Sequence, residues 1–239
     1  AVPVGAGPGT IGVDVAANIV YVANSEADTV SVVDGVTWTV IDTLPTGRMP
    51  NAVAVDAATR RVYVSNRLSH DVTVIDGNTR AVVATVPVGE FPWGIAVDPG
   101  TRKVYVANAG PSTVSIIDGN TNTVVQSVPV GERPTAIAIN TATHTAYVVN
   151  TNAQNVSIIG PSFDVVATIP IAGPDLTAST PITIAIDPVT QFVYVAGYLH
   201  NGTGFWPAMR MIDGATNTSI PGLVAQWTSD WSVEALAIN

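Results

Sequence analysis

The motif Tyr-Val-x-Asn recurs along the chain and decides its fold. It stands at Tyr21-Val22-Ala23-Asn24, Tyr63-Val64-Ser65-Asn66, Tyr105-Val106-Ala107-Asn108 and Tyr147-Val148-Val149-Asn150, with a weaker fifth copy at Tyr194. The first four tyrosines are 42 residues apart, and the last step is 47. A second landmark keeps the same steps, at Asp14, Asp56, Asp98, Asn140 and Asp187. Repetition at one fixed period indicates a fold made of one structural unit used several times.

The third copy shows what one unit contains. Apolar and polar residues alternate over four short segments, residues 94–98, 103–108, 113–118 and 123–130. Alternation with period two predicts β-strands, and no segment has a helical period. The turn before the last strand contains Gly119, which is expected to supply a positive φ. The motif tyrosines are expected to be structural, with the ring between blades and the hydroxyl near a polar partner.

Four short antiparallel strands repeated about every 40–45 residues are typical of a β-propeller. We therefore predict an all-β fold, a propeller of four-stranded blades, in a single domain spanning 1–239. The five full units run over about 5–46, 47–88, 89–130, 131–172 and 173–226, and 227–239 adds an extra strand of the innermost type. Two interpretations of the ends stay open: five blades closing a ring, or a piece of a longer propeller cut inside a blade.

The units resemble the YVTN family of β-propeller repeats, on the four tyrosine motifs and on Ile-Asp-Gly-Asn-Thr at 75–79 and 117–121. The resemblance covers essentially the whole chain and implies the propeller fold. Its implications for function are broad, because the family is a scaffold for many roles, in cell-surface proteins, periplasmic proteins and antibiotic-cleaving lyases.

Charge and composition narrow the classes of partner. The net charge is −9, which disfavours nucleic acid and anionic membranes. No apolar run approaches the roughly 20 residues of a membrane-spanning helix. Cysteine is absent and only 11% of residues are charged, a composition that fits an extracellular, periplasmic or cell-surface protein. The oligomeric state stays undetermined.

The fifth unit departs most from the repeat. Its connections 173–181 and 197–207 are longer than their counterparts, and Gly197 replaces the motif asparagine. By the order of the strands, both connections lie on one face of the propeller, which we call the upper face. Insertions in repeat proteins often mark the binding face.

Aromatic and charged residues that differ between the copies also collect in upper-face loops. Aromatic rings beside hydrogen-bonding groups suit a carbohydrate, a peptide or a protein as ligand. The predicted ligand-binding residues are Arg48, Asn51, Phe91, Trp93, Arg133, Tyr198, Trp206 and Trp231.

The alternative is an enzyme of the lyase or lactonase type. His70 or His200 would act as base, with Glu90 or Glu132 as its acid partner at the mouth of a central channel. The resemblance to the lyases implies a His–Glu constellation with magnesium, but no such set matches here residue by residue. Motifs for metal ligands are absent, so no cofactor is predicted, although a divalent cation in the channel is compatible with the sequence.

Overall fold

The computed structural model describes residues 1–171, 178–200, 205–220 and 225–226. Of residues 178–179, 199–200, 205–207 and 225–226 only the backbone is described. Within these ranges the chain forms five antiparallel sheets and no helix, which confirms the predicted all-β fold of four-stranded blades. The chain divides into two compact units, Ala1–Ser127 and Val128–Asn239.

The first unit contains the first three blades apart from the last two residues of blade 3, and each blade has its strands in chain order. Blade 1 consists of β1 (Pro8–Asp14), β2 (Ile19–Asn24), β3 (Thr29–Asp34) and β4 (Thr39–Pro45). Blade 2 consists of β5 (Pro50–Asp56), β6 (Arg61–Asn66), β7 (Asp71–Asp76) and β8 (Ala81–Pro87). Blade 3 consists of β9 (Pro92–Asp98), β10 (Lys103–Asn108), β11 (Thr113–Asp118) and β12 (Thr123–Pro129).

The second unit contains blades 4 and 5. Blade 4 consists of β13 (Pro134–Asn140), β14 (Thr145–Asn150), β15 (Asn155–Ile159) and β16 (Val165–Pro170). Blade 5 consists of β17 (Ala178–Ile186), β18 (Phe192–His200), β19 (Phe205–Asp213) and the two-residue β20 (Thr218–Ser219). A further pair of residues, β21 (Ala225–Gln226), also pairs with β19.

Burial follows the position of a strand within its blade. The second and third strands are buried on both faces, while the fourth is largely exposed. Both faces of the middle strands are apolar because neighbouring blades pack on them. Between blades 2 and 3, for example, Tyr63, Val72 and Val74 share one core with Val104 and Ile117. Burial of this apolar surface is the main stabilising term of the fold.

The Asp-Gly turns differ from the prediction in one respect. Gly119 does not have a positive φ; that conformation falls on Asn122, at φ 54°. Glycine is needed at 119 for another reason, because a Cβ there would lie 3.0 Å from the carbonyl oxygen of Arg102. The Gly119 amide donates to that oxygen at 2.8 Å, which joins the turn after the third strand of the blade to the turn after its first strand.

Blade 5 corrects a second expectation. The residues expected to form long connections partly extend the strands instead, so that β17, β18 and β19 each have nine residues, against five to seven in the strands of the other blades. Ala178 pairs with His200, and Leu199 pairs with Trp206, at the lengthened end. Residues 172–177 and 201–204, within the two connections, lie outside the described residues, as does the extra strand predicted over 227–239.

Candidate functional site

A buried polar cluster in each of the first four blades fixes the loops of the upper face. In blade 2 the Nδ2 of Asn66, the motif asparagine, donates to Thr73 Oγ1 at 2.8 Å and to Asp71 Oδ1 at 2.7 Å. The amide of Gly47, in the loop leading into the same blade, donates to Thr73 Oγ1 at 3.2 Å. Side chains of two strands and the backbone of the preceding loop are thereby joined at one point.

Backbone hydrogen bonds join the two kinds of upper-face loop directly. The amide of Arg67 donates to the carbonyl of Met49 at 2.9 Å, and the amide of Leu68 donates to that of Arg48 at 3.1 Å. The loop into blade 2 and the turn between its second and third strands therefore lie side by side. Blade 3 repeats the arrangement, with Ala109 donating to Phe91 at 3.1 Å.

His70, a proposed base, sits in the turn between β6 and β7 with φ 59°. Its Nδ1 accepts a hydrogen bond from the backbone amide of Phe91 at 3.1 Å. The Phe91 ring stands edge-on to the imidazole, with centroids 5.1 Å apart. A neutral imidazole has one nitrogen lone pair in the ring plane for accepting a proton. In this geometry that lone pair is used by the protein itself.

The same contact recurs one blade earlier with another residue type. Asp28, at the position in blade 1 that corresponds to His70, accepts from the amide of Met49 at 2.7 Å. The turn therefore needs an acceptor side chain that reaches the loop of the next blade. In the structure His70 has the role that aspartate has in blade 1.

Arg67 and Trp93 form a second contact between blades 2 and 3. The Arg67 guanidinium carbon lies 4.4 Å from the centroid of the Trp93 ring, which is the geometry of a cation–π interaction. The Trp93 carbonyl accepts from Ser65 Oγ at 2.8 Å and from Asn51 Nδ2 at 3.2 Å. The backbone that carries the indole is thus fixed by the neighbouring blade. Asn51, a predicted ligand-binding residue, acts in this structure as a support for Trp93.

These contacts define a group of side chains on the first unit, built on the pairs Arg67–Trp93 and His70–Phe91, with Arg48 in the adjoining loop. We call it the aromatic patch; its members are Arg48, Asn51, Arg67, His70, Phe91 and Trp93. Arg48 is exposed, and the Phe91 side chain is 39% exposed. The Glu90 side chain is exposed beside Phe91.

The candidate residues of the second unit differ in their exposure and in whether the structure describes their side chains. Glu132 and Arg133 are exposed, and Glu132 Oε1 accepts from Asn152 Nδ2 at 3.2 Å. Tyr198 is half-buried and lines a small cavity with Arg210. The side chains of His200 and Trp206 lie outside the described residues, and so does Trp231. The roles predicted for these three residues stay predictions.

Ionisation of the motif tyrosines is suppressed by burial. Burial raises the pKa of Tyr63, Tyr105 and Tyr147 to about 12, so their hydroxyls stay protonated in the physiological range. They are available as hydrogen-bond donors and not as phenolate bases. In the part of the chain that the structure describes, no group of three or more His, Asp or Glu side chains could hold a metal ion.

Comparison with known proteins agrees with this architecture. A family model described as YNCE-like beta-propeller matches residues 6–101, which span the first two blades and the loop and first strand of the third. The matched residues and the repeated four-stranded sheets together support a β-propeller built from repeats.

A solved structure similar to this propeller is hydrazine synthase of Kuenenia stuttgartiensis. The match has a TM-score of 0.80 and 21% sequence identity, and it covers 95% of this propeller and 67% of that chain. At this identity the likeness concerns the fold alone. With 1186 solved chains matching, the fold does not select a function. A search of curated proteins found no match. No helix within the described residues has the length and apolar character needed to cross a membrane.

Proposed function

We propose that this propeller is a binding scaffold whose aromatic patch on the first unit holds a carbohydrate, a peptide or a protein. The observation that carries the proposal is the way Trp93 and Phe91 are presented. Phe91 stands on an upper-face loop and Trp93 at the start of β9, both held by hydrogen bonds to blade 2, and the charged groups nearby in the same loops are Arg48, Arg67 and Glu90.

Rigid aromatic side chains are effective binding groups for a physical reason. A ligand that meets a side chain already held in place loses less conformational freedom on binding. Tryptophan and arginine are also the residue types that most often dominate binding energy at interfaces. The paired Arg67 and Trp93 present an apolar surface and a positive charge within 4.4 Å of each other.

The proposed location is extracellular, periplasmic or on the cell surface. It rests on composition: no cysteine, few charged residues and an acidic net charge of −9. In this setting a propeller would present its upper-face loops to a partner outside the cytoplasm.

In one version of the alternative function, a lyase or lactonase, His70 would act as a free base. The hydrogen bond from the Phe91 amide opposes that role, because it occupies the Nδ1 lone pair. His200 paired with Glu132, within the second unit, stays the version of this alternative that the described contacts do not oppose. A divalent cation at such a site would be part of the same alternative.

Binding is tested by screening the chain against a glycan array and a library of immobilised peptides. Trp93→Ala is expected to weaken any hit by tenfold or more, a loss of about 1.4 kcal/mol, because the patch loses its largest apolar surface. The matched control is Trp38→Ala, since the Trp38 side chain is 63% exposed in a turn at the opposite end of the strands. Equal binding by the two variants would show that the patch is not the site.

A further inference from the structure

A second cavity lies on the first unit, at the end of the blades opposite the upper-face loops. We call this end the lower face; it carries the turns between first and second strands and between third and fourth strands. The cavity has a volume of about 250 Å³ and lies between blades 1 and 2. Its polar lining includes Tyr21, Arg60, Asn78 and Arg80, and its apolar wall includes Ile19 and Ile41.

The hydroxyl of Tyr21 is the first unusual feature of this cavity. It is buried, and among the described residues it has no hydrogen-bond partner. The corresponding tyrosine of blade 4 is satisfied, because Tyr147 donates to Asn217 Oδ1 at 2.7 Å and contacts the Gly214 carbonyl at 3.2 Å. An unpaired buried hydroxyl costs about 1–3 kcal/mol, so its presence needs a reason.

Arg80 supplies the reason. Counted from the Asp-Gly pairs Asp76-Gly77 and Asp213-Gly214, Arg80 occupies the position that Asn217 holds in blade 5. Asparagine offers Tyr147 an acceptor, whereas a guanidinium group has only donors. Arginine in place of asparagine at this position therefore leaves Tyr21 without an acceptor and places a positive charge in the same turn.

Of the two arginines in the cavity, Arg60 has acceptors for its donors and Arg80 has almost none. Arg60 Nε donates to Asp14 Oδ2 at 3.1 Å, and Arg60 Nη1 donates to Asn78 Oδ1 at 2.9 Å. Asp14 thus balances the charge of Arg60. Arg80 Nη1 makes a long hydrogen bond to the Ile41 carbonyl at 3.5 Å, and no carboxylate among the described residues forms an ion pair with Arg80.

We propose that this cavity binds a small organic anion, a carboxylate on a short apolar body. The carboxylate accepts hydrogen bonds from Arg80 and the Tyr21 hydroxyl, which are the donors without strong partners. The apolar body lies against Ile19, Val32 and Ile41. The volume is below the roughly 300–1,000 Å³ of pockets for drug-sized ligands, which restricts the ligand to a small molecule.

The test is titration of the intact chain with benzoate, followed by calorimetry or by chemical shifts, beside benzamide as its neutral counterpart. Benzoate is expected to bind at least tenfold more tightly than benzamide. Equal affinities, or no binding of benzoate, would overturn the proposal. Inorganic phosphate tests the apolar wall: it is expected to bind more weakly than benzoate, and equal affinity would overturn the assignment of an apolar body.

Arg80→Asn is the decisive variant, because it installs the residue found at Asn217 and provides Tyr21 with an acceptor. It is expected to lower benzoate affinity at least tenfold while keeping or raising the melting temperature. Asparagine also tolerates the φ of 54° at this position better than arginine does. The control is Arg102→Asn, which has the same change in charge at a residue with φ 56° that does not line the cavity. Unchanged affinity in Arg80→Asn, or an equal loss in both variants, would contradict the proposal.

Tyr21→Phe gives a readout that does not depend on knowing the ligand. In the free chain, loss of an unpaired buried hydroxyl should leave the melting temperature unchanged or raise it. Tyr147→Phe removes a hydroxyl that is bonded to Asn217 and should lower the melting temperature. Equal lowering by the two variants would mean that Tyr21 already has a partner and that the site lacks a free donor.

Discussion

A single residue in the upper-face turn of blade 1, and another in that of blade 2, connects its blade to the next. In the first four blades this residue is Asp28, His70, Ser112 or Gln154, with φ between 53° and 59°. All four side chains can accept a hydrogen bond, and in two of them the contact goes to the amide at Met49 or Phe91. The left-handed backbone and the acceptor are two separate requirements, and histidine meets both.

The role of His70 can be tested with two substitutions. His70→Asn keeps an acceptor and tolerates positive φ, so the free energy of unfolding should change by less than about 0.5 kcal/mol. His70→Leu loses the acceptor and disfavours the left-handed backbone, and should cost about 1–3 kcal/mol. Urea unfolding of both variants measures the difference. Similar stability of the two variants would contradict a structural role for this imidazole.

At the scale of the element, two residues change together in blade 5: the motif asparagine on the second strand and the hydroxyl residue that it contacts on the third. Val195 on β18 pairs with Arg210 on β19, at the position where Val64 pairs with Thr73 in blade 2. Blade 5 therefore has Gly197 and Arg210 where the other blades have asparagine and a hydroxyl residue. The bulge between Pro181 and Thr183 is common to the blades, with counterparts between Pro50 and Ala52 and between Pro134 and Ala136, so it does not depend on this exchange.

Gly197 lies unusually close to the backbone of β17. A Cβ at this position would collide with the carbonyl oxygen of Thr180 and would lie 2.7 Å from the Cα of Pro181. Gly197→Ala is therefore expected to destabilise the chain by more than about 2 kcal/mol, because the clash is with backbone. Thermal unfolding followed by circular dichroism measures the loss.

Gly9→Ala is the matched control for Gly197→Ala. A Cβ at Gly9 meets nothing closer than the Ala23 carbonyl oxygen at 3.9 Å, so this substitution should be neutral or stabilising by up to about 1 kcal/mol. An equal effect of the two substitutions would show that the close approach of β17 and β18 does not depend on glycine.

At the scale of the whole molecule, the same turn chemistry gives several aspartates one shared property. Backbone amides lower the pKa of Asp34, Asp76 and Asp213, and the Thr190 hydroxyl lowers that of Asp187. The Lys103 ammonium, 2.8 Å from Asp118, lowers the pKa of that carboxyl to about 2. Each carboxylate therefore stabilises the folded chain above its unfolded pKa of about 3.9.

Acid should therefore destabilise the protein progressively. The contribution of these carboxylates is fully present above about pH 5 and is lost as the pH falls toward 2, because the folded chain must then take up protons at unfavourable positions. The melting temperature should fall over this interval. Asp118→Asn, which keeps an acceptor for the turn but cannot ionise, should show a smaller fall. A melting temperature independent of pH between 5 and 2 would refute the linkage.

The repeat predicted the fold because each landmark has one local cause that is the same in every copy. Tyr63 and Asn66 mark a buried strand, and Asp76 marks the turn after the next one. The strands of blade 5 were underestimated, since residues such as Pro181 and Gly197 are typical of loops. The role proposed for Arg80 does not follow from the sequence alone, although the repeat has Asn217 at the same position in blade 5. The difference between the two residues matters only because of Tyr21, which lies one blade away and 59 residues earlier in the sequence.

The left-handed turn residues have a consequence for how this chain tolerates mutation. Many turn positions of the described blades hold a non-glycine residue with φ between 52° and 67°, among them Trp38, Arg102 and Phe163. A bulky residue there costs roughly 1–2 kcal/mol relative to glycine. The propeller thus carries a reserve of stability that glycine or asparagine could release one turn at a time.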